Sequence, residues 1–273
     1  MSLEISTQTI ASEDADKGGV QSVETAAHIL RAISMLGGAA ALKDIAAAAG
    51  MPRGKAHRYL VSLTRAGLAV QEPTSGAYAI GPLAITLGLT ALRRISPMQI
   101  AAEALSELRD KTNETAALAI WGEFGPTVIA LEESINAVTL NVRVGSRLPL
   151  FNSAVGRIFL TYQPDKALCS EIIKEERVLD PTSPCLNMSV RQKIIEETRA
   201  HGMARVAGDL IPGINALAAP IFDHSSKLAM AIGLVGRKEI LKVGWTTDKA
   251  LALKTCAAAV SEKLGFQRLD SET

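Results

Sequence analysis

Hydrophobic residues recur at helical spacing through the first part of the chain. The first run places apolar residues three or four positions apart and ends at two glycines: Val23, Ala26, Leu30, Ile33 and Gly37-Gly38. It predicts a helix that starts near Val20. The same reasoning predicts two further helices and two short strands, at Leu42–Ala49, Arg53–Ala66, Leu68–Gln71 and Ala77–Ile80. Helix, helix, turn, helix and hairpin is the order of a winged helix-turn-helix domain.

The third predicted helix has one apolar side and one basic side. At 100° per residue its apolar positions are Ala56, Tyr59, Leu60, Leu63 and Gly67, and the opposite positions are Gly54, Lys55, Arg58, Val61, Ser62 and Arg65. A basic helix fits the major groove of DNA, where arginine is the commonest reader of guanine. A solvated surface helix has the same pattern, but the turn and the hairpin around this helix favour DNA binding.

A long helical pattern follows the hairpin and is interrupted at Ser96-Pro97. Ile85, Leu89 and Leu92 share one apolar face before the proline. We interpret this part as a linker helix. Its apolar face either contacts a second copy of the chain or packs within the same chain, and the pattern does not separate the two.

The remaining sequence places predicted strands on both sides of a group of predicted helices. The strands are Thr115–Trp121, Thr127–Glu132, Val138–Val144, Met203–Ala207, Ala216–Phe222 and Leu228–Val235, and the helices are Ser153–Tyr162, Asp165–Glu176, Ser189–His201 and a segment from Ala250 to Leu264. This order is typical of an α+β domain in which helices cover a sheet. We therefore predict a disordered tail (1–19), a winged helix-turn-helix domain (20–81), a linker helix (82–96) and an α+β domain (97–273).

Charge is distributed unevenly, although the 273 residues together carry a formal net charge of only +1. Between Val20 and Ile95 eight cations face three acids, a net charge of +5, whereas Met1–Gly19 carries −3 and the rest carries −1. Near-neutrality of the whole chain argues against a histone-like polycation. The local excess agrees with a DNA-binding module.

Cysteine usage and the start of the chain indicate a cytoplasmic protein. Cys169, Cys185 and Cys256 have no Cys-x-x-Cys spacing, so neither a disulfide framework nor a zinc site is expected. The acidic first residues lack the basic start and apolar centre of a signal peptide. No membrane-spanning segment is predicted.

The sequence lacks the motifs of the common cofactor-dependent and metal-dependent enzymes: Gly-x-Gly-x-x-Gly, the Gly-Lys-Ser/Thr phosphate loop and His-Glu-x-x-His. We therefore expect no cofactor, no metal and no enzymatic activity. Two alternatives stay open at this point. One is a small-molecule-binding or hydrolytic enzyme with an accessory basic domain, and the other is a non-specific nucleoid-type DNA binder.

Several motifs together resemble the IclR-type bacterial transcriptional regulators. They are Val20–Ala26, Asp44–Ala46, Gly50–Arg53, His57–Leu60 and Tyr78–Gly81 in the first part, and Arg143–Leu150, Ala154–Arg157 and Gly213–Asp223 in the second. The resemblance implies a homodimer or tetramer that binds a palindromic operator in double-stranded DNA. It also implies that the C-terminal domain is a curved, GAF-like antiparallel sheet that binds a small organic acid as effector.

By the same resemblance, the helix from Arg53 to Ala66 is the recognition helix. The predicted DNA contacts are Arg53, Gly54, Lys55, His57, Arg58, Ser62 and Arg65, with Ser75 in the wing. Family members usually carry Ser or Thr at the position after Arg53. Gly54 and Lys55 stand there in this chain, so a hydroxyl is lost and a cation gained, and the base preference of relatives does not transfer.

The resemblance places the effector beside the start of the helix at Ala154. Ser153 can cap this helix, and Ala154, Val155 and Gly156 offer backbone N–H groups to a carboxylate. Without the resemblance, Ser153 could equally be a simple cap and Gly156 a close-packing residue. The further predicted effector contacts are Trp121, Asn141, Arg143, Asp209, Asn215, Ala216, Gly233 and Val235. Arg143 could equally form a surface ion pair.

The chain departs from the family pattern at three polar positions. Relatives that sense small acids commonly carry an acidic pair, a Cys and a Ser-x-Ser strand where this chain has Val206–Asp209, Ala216 and Gly233–Val235. Because buried polar groups need partners, a pocket without them should prefer a less polar ligand. We therefore predict an effector with an apolar or aromatic body that keeps at most one carboxylate.

Overall fold

The computed structural model describes residues 19–94, 96–134, 142–163, 166–179 and 187–267. The chain divides into two units, Met1–Arg94 and Ile95–Thr273. Each unit has its own buried core. No helix among the described residues combines the length and the apolar character that crossing a membrane requires.

The first unit is a winged helix-turn-helix, as predicted. Its elements α1, β1, α2, α3, β2, β3 and α4 are Gln21–Met35, Ala39–Ala40, Leu42–Ala48, Arg53–Arg65, Ala69–Gln71, Tyr78–Ile80 and Pro82–Arg94. Strand β3 is central and pairs antiparallel with β1 and β2. Strand β1 was not predicted, because two alanines carry no alternating pattern.

The apolar sides of α1, α2 and α3 meet in one core. Ile29, Ile45 and Leu60 are completely buried there. The turn between α2 and α3 passes through Gly50 with φ +61°, a left-handed conformation that favours glycine. This turn sets the direction of α3, so that its apolar side meets the core and its basic side faces outward.

The second unit is an α/β domain with an antiparallel five-stranded sheet, which confirms the predicted fold class. Its elements α5, β4, β5, α6, α7, α8, β6, β7, β8 and α9 are Pro97–Thr112, Thr115–Gly122, Gly125–Glu132, Ala154–Tyr162, Lys166–Leu179, Met188–His201, Ala204–Ala207, Ile214–Phe222, Leu228–Arg237 and Asp248–Lys263. The strand order is β5-β4-β8-β7-β6. Most of the predicted strand Val138–Val144 lies outside the described residues, and 142–144 are not in a strand.

The two faces of this sheet carry side chains of different size. Large residues such as Ile221 and Ile232 pack against α5 and α9, whereas small residues such as Ala218 and Ala231 face α6. A Cβ at Gly233 would lie 3.2 Å from Val155 Cγ2 of α6. Because this face has short side chains, the first turn of α6 lies directly on the sheet.

Candidate functional site

The outer side of α3 is basic along its length. It carries Arg53, Gly54, Lys55, His57, Arg58, Ser62 and Arg65, all of them exposed. Ala56, Leu60 and Leu63 on the opposite side are buried. The helical projection of the sequence therefore predicted correctly which side of α3 is buried and which side is exposed.

The cations of α3 have no carboxylate partner among the described residues. The ion pairs found there involve Arg109, Arg147, Arg157, Arg205 and Lys249, which all belong to the second unit. Four uncompensated positive charges thus lie on one exposed helix, where an external polyanion can neutralise them.

Glycine at position 54 is not required by the packing of the first unit. A Cβ at this position would meet nothing within 4 Å, and its φ is not left-handed. The hydroxyl of Ser62 donates to the Arg58 carbonyl at 3.2 Å, so it is satisfied within the helix. The small side chains leave the helix backbone open to a close approach from outside.

The wing turn between β2 and β3 is held by its own side chains. Ser75 Oγ donates to Glu72 Oε2 at 2.5 Å and accepts the Ala77 N–H at 3.1 Å. Gln71 Nε2 donates to the Gly76 carbonyl at 3.0 Å. Ser75 is exposed, but its hydroxyl takes part in shaping the turn.

A cavity of about 650 Å³, its open mouth included, lies between α6 and the sheet of the second unit. Six predicted residues line it: Ser153, Ala154, Val155, Ala216, Gly233 and Val235. The remaining lining residues are Ala117, Leu131, Val142, Leu148, Asn152, Val206, Leu210, Ile211, Ile214, Leu217 and Leu234. Apart from Asn152 and Ser153, every side chain of the lining is aliphatic or absent.

The first turn of α6 places free backbone donors in this cavity. Ser153 Oγ accepts the Gly156 N–H at 2.9 Å and donates to the Pro149 carbonyl at 2.6 Å. Within the described chain the N–H groups of Ala154 and Val155 have no acceptor. Unpaired amides at a helix N-terminus attract an anion. The polar part of the cavity is therefore concentrated at one end.

Gly156 does not line the cavity. A Cβ there would lie 2.0 Å from the Pro149 carbonyl oxygen and 2.7 Å from Leu150 Cα. The glycine permits α6 to start against the chain segment before it, which was the alternative interpretation of this residue. Its N–H is the group that Ser153 caps.

Trp121, Arg143 and Asn215 were also predicted as effector contacts, but they are not among the residues that line the cavity. Trp121 packs on Phe159, with ring centroids 5.7 Å apart, and Arg143 is exposed in a loop, where its N–H donates to Ser146 Oγ at 2.9 Å. The buried Asn215 donates from Nδ2 to the Leu241 carbonyl at 2.9 Å, on the other face of β7 from Ala216. Asn141 lies outside the described residues.

Asp209 is also outside the lining and binds Arg157. Its Oδ2 lies 2.6 Å from an Arg157 Nη2. The same guanidinium donates through Nε to the Phe151 carbonyl at 2.7 Å and through Nη1 to the Arg205 carbonyl. Asp209 is therefore joined to α6, the helix that begins at the cavity.

Helix α7 holds the segment before α6 in place. Glu176 Oε1 accepts the Leu150 N–H at 2.6 Å, and Arg147 Nη2 contacts Glu175 Oε2 at 2.7 Å. Burial raises the pKa of Glu176, and the hydrogen bond from Leu150 opposes that shift. These contacts position Leu148 in the cavity wall.

Sequence reasoning missed most of the aliphatic wall. The only available signal was the period of two along the strands, which groups Ile214 with Ala216 and Gly233 with Val235. The pairing of the strands shows which of these residues are neighbours across the sheet: Ala117 lies beside Gly233, and Ala216 lies beside Val235. Residues from distant segments become one wall only through this register.

Two family profiles match the chain. The IclR helix-turn-helix domain matches residues 22–73, and the C-terminal domain of bacterial IclR transcriptional regulators matches residues 89–262. Together they span both units.

Individual regulators match over nearly the full length. The glycerol operon regulatory protein of Streptomyces griseus is 29% identical over 254 residues, covering 91% of this chain and 98% of that protein. The HTH-type transcriptional repressor AllR of Klebsiella pneumoniae is 24% identical over 255 residues, covering 93% and 94%. The crystal structure of Pseudomonas aeruginosa HmgR superposes with a TM-score of 0.79 at 35% identity, covering 91% of this chain and 100% of that one.

The matched family is one of transcriptional regulators, and the Streptomyces and Klebsiella relatives are named as regulators, in agreement with the expectation that the chain is not an enzyme. The family profile of the C-terminal domain alone spans more than half of the chain. The chain therefore belongs to the IclR family of bacterial transcriptional regulators, with a helix-turn-helix domain followed by an effector domain.

Proposed function

We propose that this regulator binds a palindromic operator through α3 and changes its affinity for the operator when a small organic acid with an apolar or aromatic body enters the cavity. The observation that carries the proposal is the cavity itself, which is aliphatic except at the N-terminus of α6. The uncompensated cations of α3 supply the DNA-binding half. Since operator DNA lies in the bacterial cytoplasm, the protein acts there.

The effector binds with its carboxylate toward the first turn of α6. The free N–H groups of Ala154 and Val155 are the donors, and the helix dipole adds to them. No charged side chain lines the cavity among the described residues, so a second carboxylate would have no partner. An apolar body lies instead between the sheet and residues such as Leu210 and Ile211.

A titration separates the two effector classes. Phenylacetate is expected to raise the melting temperature of the full-length protein, and glyoxylate is not, because only the first covers the aliphatic wall. A ligand at 100 times its Kd stabilises the folded state by about 2.7 kcal/mol. The measurement is a thermal-shift series confirmed by isothermal titration calorimetry.

The control variant is Ala216→Leu, which fills the cavity without adding charge and should abolish the effect of phenylacetate. Phenylacetamide tests the carboxylate separately, since it keeps the ring and removes the negative charge. Tight binding of glyoxylate, with no response to phenylacetate, would contradict the proposed effector class.

A palindromic operator requires two copies of α3 related by two-fold symmetry, in a dimer or a tetramer. Helix α4 offers the contact for a second copy. Leu83, Ile85, Leu87 and Leu89 are between 40% and 61% exposed on this helix, so the packing of the first unit leaves them uncovered. A solvent-exposed apolar helix of this kind marks an interaction site.

Replacing Ile85 by Glu and Leu89 by Lys should shift the protein toward the monomer. The two new side chains are four residues apart and can pair along the helix, so the helix is kept while its apolar surface is lost. The matched control is T86E/T90K, which places the same pair at two exposed polar positions of α4. Light scattering coupled to size exclusion gives the mass, and an unchanged mass of the first variant would reject the α4 contact.

A further inference from the structure

Part of the cavity wall is a short loop at the protein surface. Residues 208–213 connect β6 to β7, and Leu210 and Ile211 of this loop line the cavity. The same two residues are 42% and 37% exposed. Leu210 and Ile211 therefore lie where the cavity meets solvent, and they are not part of the packed core.

Glycines stand at the two ends of the loop. Gly208 has φ +84° and Gly213 has φ +82°, both in the left-handed region. A Cβ at Gly208 would come no closer than 3.7 Å to another group, and one at Gly213 would meet nothing within 4 Å. The glycines are thus required by backbone conformation and not by tight packing, which is typical of positions about which a loop can turn.

The loop is tied to α6 by Asp209. Within the described part of the chain, the Asp209–Arg157 pair is the only ion pair formed by a residue of this loop. The side chain of Arg157 is only 12% exposed and is held by two backbone carbonyls, whereas the side chain of Asp209 is 40% exposed. Arg157 is therefore the fixed partner of the ion pair, and Asp209 is the partner that can move away from it.

The fixed partner lies next to the donors of the cavity. Arg157 is three residues after Ala154, and its N–H donates to the Ser153 carbonyl at 3.1 Å. A molecule that fills the cavity would contact the first turn of α6 as well as Leu210 and Ile211, since all of them line it. Occupancy of the cavity and closure of the loop therefore favour each other.

We propose that the Arg157–Asp209 ion pair is a latch that holds loop 208–213 over the cavity, with Arg157 as a positioning residue for effector binding. The role of the latch in effector binding rests on the proposed function, whereas the closure of the cavity does not. Release of Asp209 widens the mouth of the cavity, and binding of an effector keeps the latch closed.

The test measures access to the cavity without any effector. Ala216→Cys places a thiol in the wall of the full-length protein. Its alkylation by iodoacetamide is followed at residue 216 by peptide mass spectrometry after quenching and digestion. Adding D209N should speed this alkylation about threefold to tenfold, since a charge-assisted hydrogen bond is lost at a partly exposed site. Cys169 is buried, and burial raises the pKa of Cys256 to about 11, so neither thiol competes strongly. Cys185, the third cysteine of the chain, is replaced by serine in every variant of this test.

The matched control is E197Q in the same Ala216→Cys background. Glu197 pairs with Arg205 at 2.6 Å, the same distance as the latch, but neither residue belongs to the loop. This variant should leave the rate of alkylation unchanged, and D209E should return most of the protection because it keeps the carboxylate. Equal rates for D209N and E197Q, with both proteins folded by circular dichroism, would overturn the latch.

The rate at which phenylacetate dissociates tests whether the latch also retains a bound effector. D209N should release phenylacetate several-fold faster than the original chain, and E197Q should not. If phenylacetate does not bind the original chain, the proposed effector class fails, but the alkylation rates still decide whether Asp209 closes the loop.

Discussion

Replacing Arg58 by alanine is expected to weaken binding to the operator about tenfold to a hundredfold. Arg58 is exposed in the middle of the basic side of α3 and has no carboxylate partner among the described residues. A bidentate contact between arginine and guanine contributes about 1–3 kcal/mol of discrimination, and each 1.4 kcal/mol is about tenfold in affinity. The measurement is fluorescence anisotropy on a duplex that the original protein has selected from random DNA.

The control for this variant is Lys254→Ala, which removes one positive charge from an exposed position on α9 of the second unit. It should bind the selected duplex as the original chain does. Salt dependence then separates two roles of Arg58, since losing a phosphate contact lowers the slope of log affinity against log salt by about 0.9, while losing a base contact relaxes sequence preference. Unchanged affinity of R58A would remove Arg58 from the interface. Discrimination against competitor DNA at rising salt would also exclude a nucleoid-type binder.

Replacing Gly156 by alanine is expected to destabilise the second unit by about 3 kcal/mol or more. The new Cβ would lie 2.0 Å from the Pro149 carbonyl oxygen, 2.7 Å from Leu150 Cα and 2.8 Å from the Pro149 carbonyl carbon. All three are backbone atoms that cannot rotate away, so α6 or the preceding segment must move, and such overpacking is among the costliest substitutions. Calorimetry should show the transition of the second unit at a temperature about 6–12 °C lower.

The same substitution at Gly54 is the matched control. A Cβ there meets nothing within 4 Å, so Gly54→Ala should raise the free energy of unfolding of the first unit by about 0.4–1 kcal/mol through the unfolded state. The pair also separates fold from function, because G54A should weaken operator binding while stabilising the protein. A similar loss of stability at both positions would show that the packing at Gly156 is not special.

Helix α3 could be predicted almost completely from the sequence. The predicted bounds, Arg53 to Ala66, differ from α3 by one residue, and the buried Ala56, Leu60 and Leu63 are among the predicted apolar positions. Helix bounds and faces depend on neighbours within about four residues, so a local pattern contains the information. The short strand β1 escaped prediction because only its pairing with β3 defines it.

The cavity was predictable at one end only. Ser153 as a helix cap and the free amides after it follow from local sequence, and the structure has both. Asn215 and Ala216 show the limit of this reasoning, since adjacent strand residues face opposite sides and only the register assigns each side. Asp209 likewise pairs with Arg157, which is 52 residues away in sequence, so no local pattern predicts this contact.

The sequence by itself therefore determined the two-part organisation, the basic helix α3 and the polar start of α6, because each depends on periodicity, capping and charge within a short stretch. The tertiary structure alone decided which aliphatic residues form the cavity, which strand positions face it and that Asp209 is joined to α6. These features depend on strand pairing and on contacts between distant segments, and no local pattern carries that information.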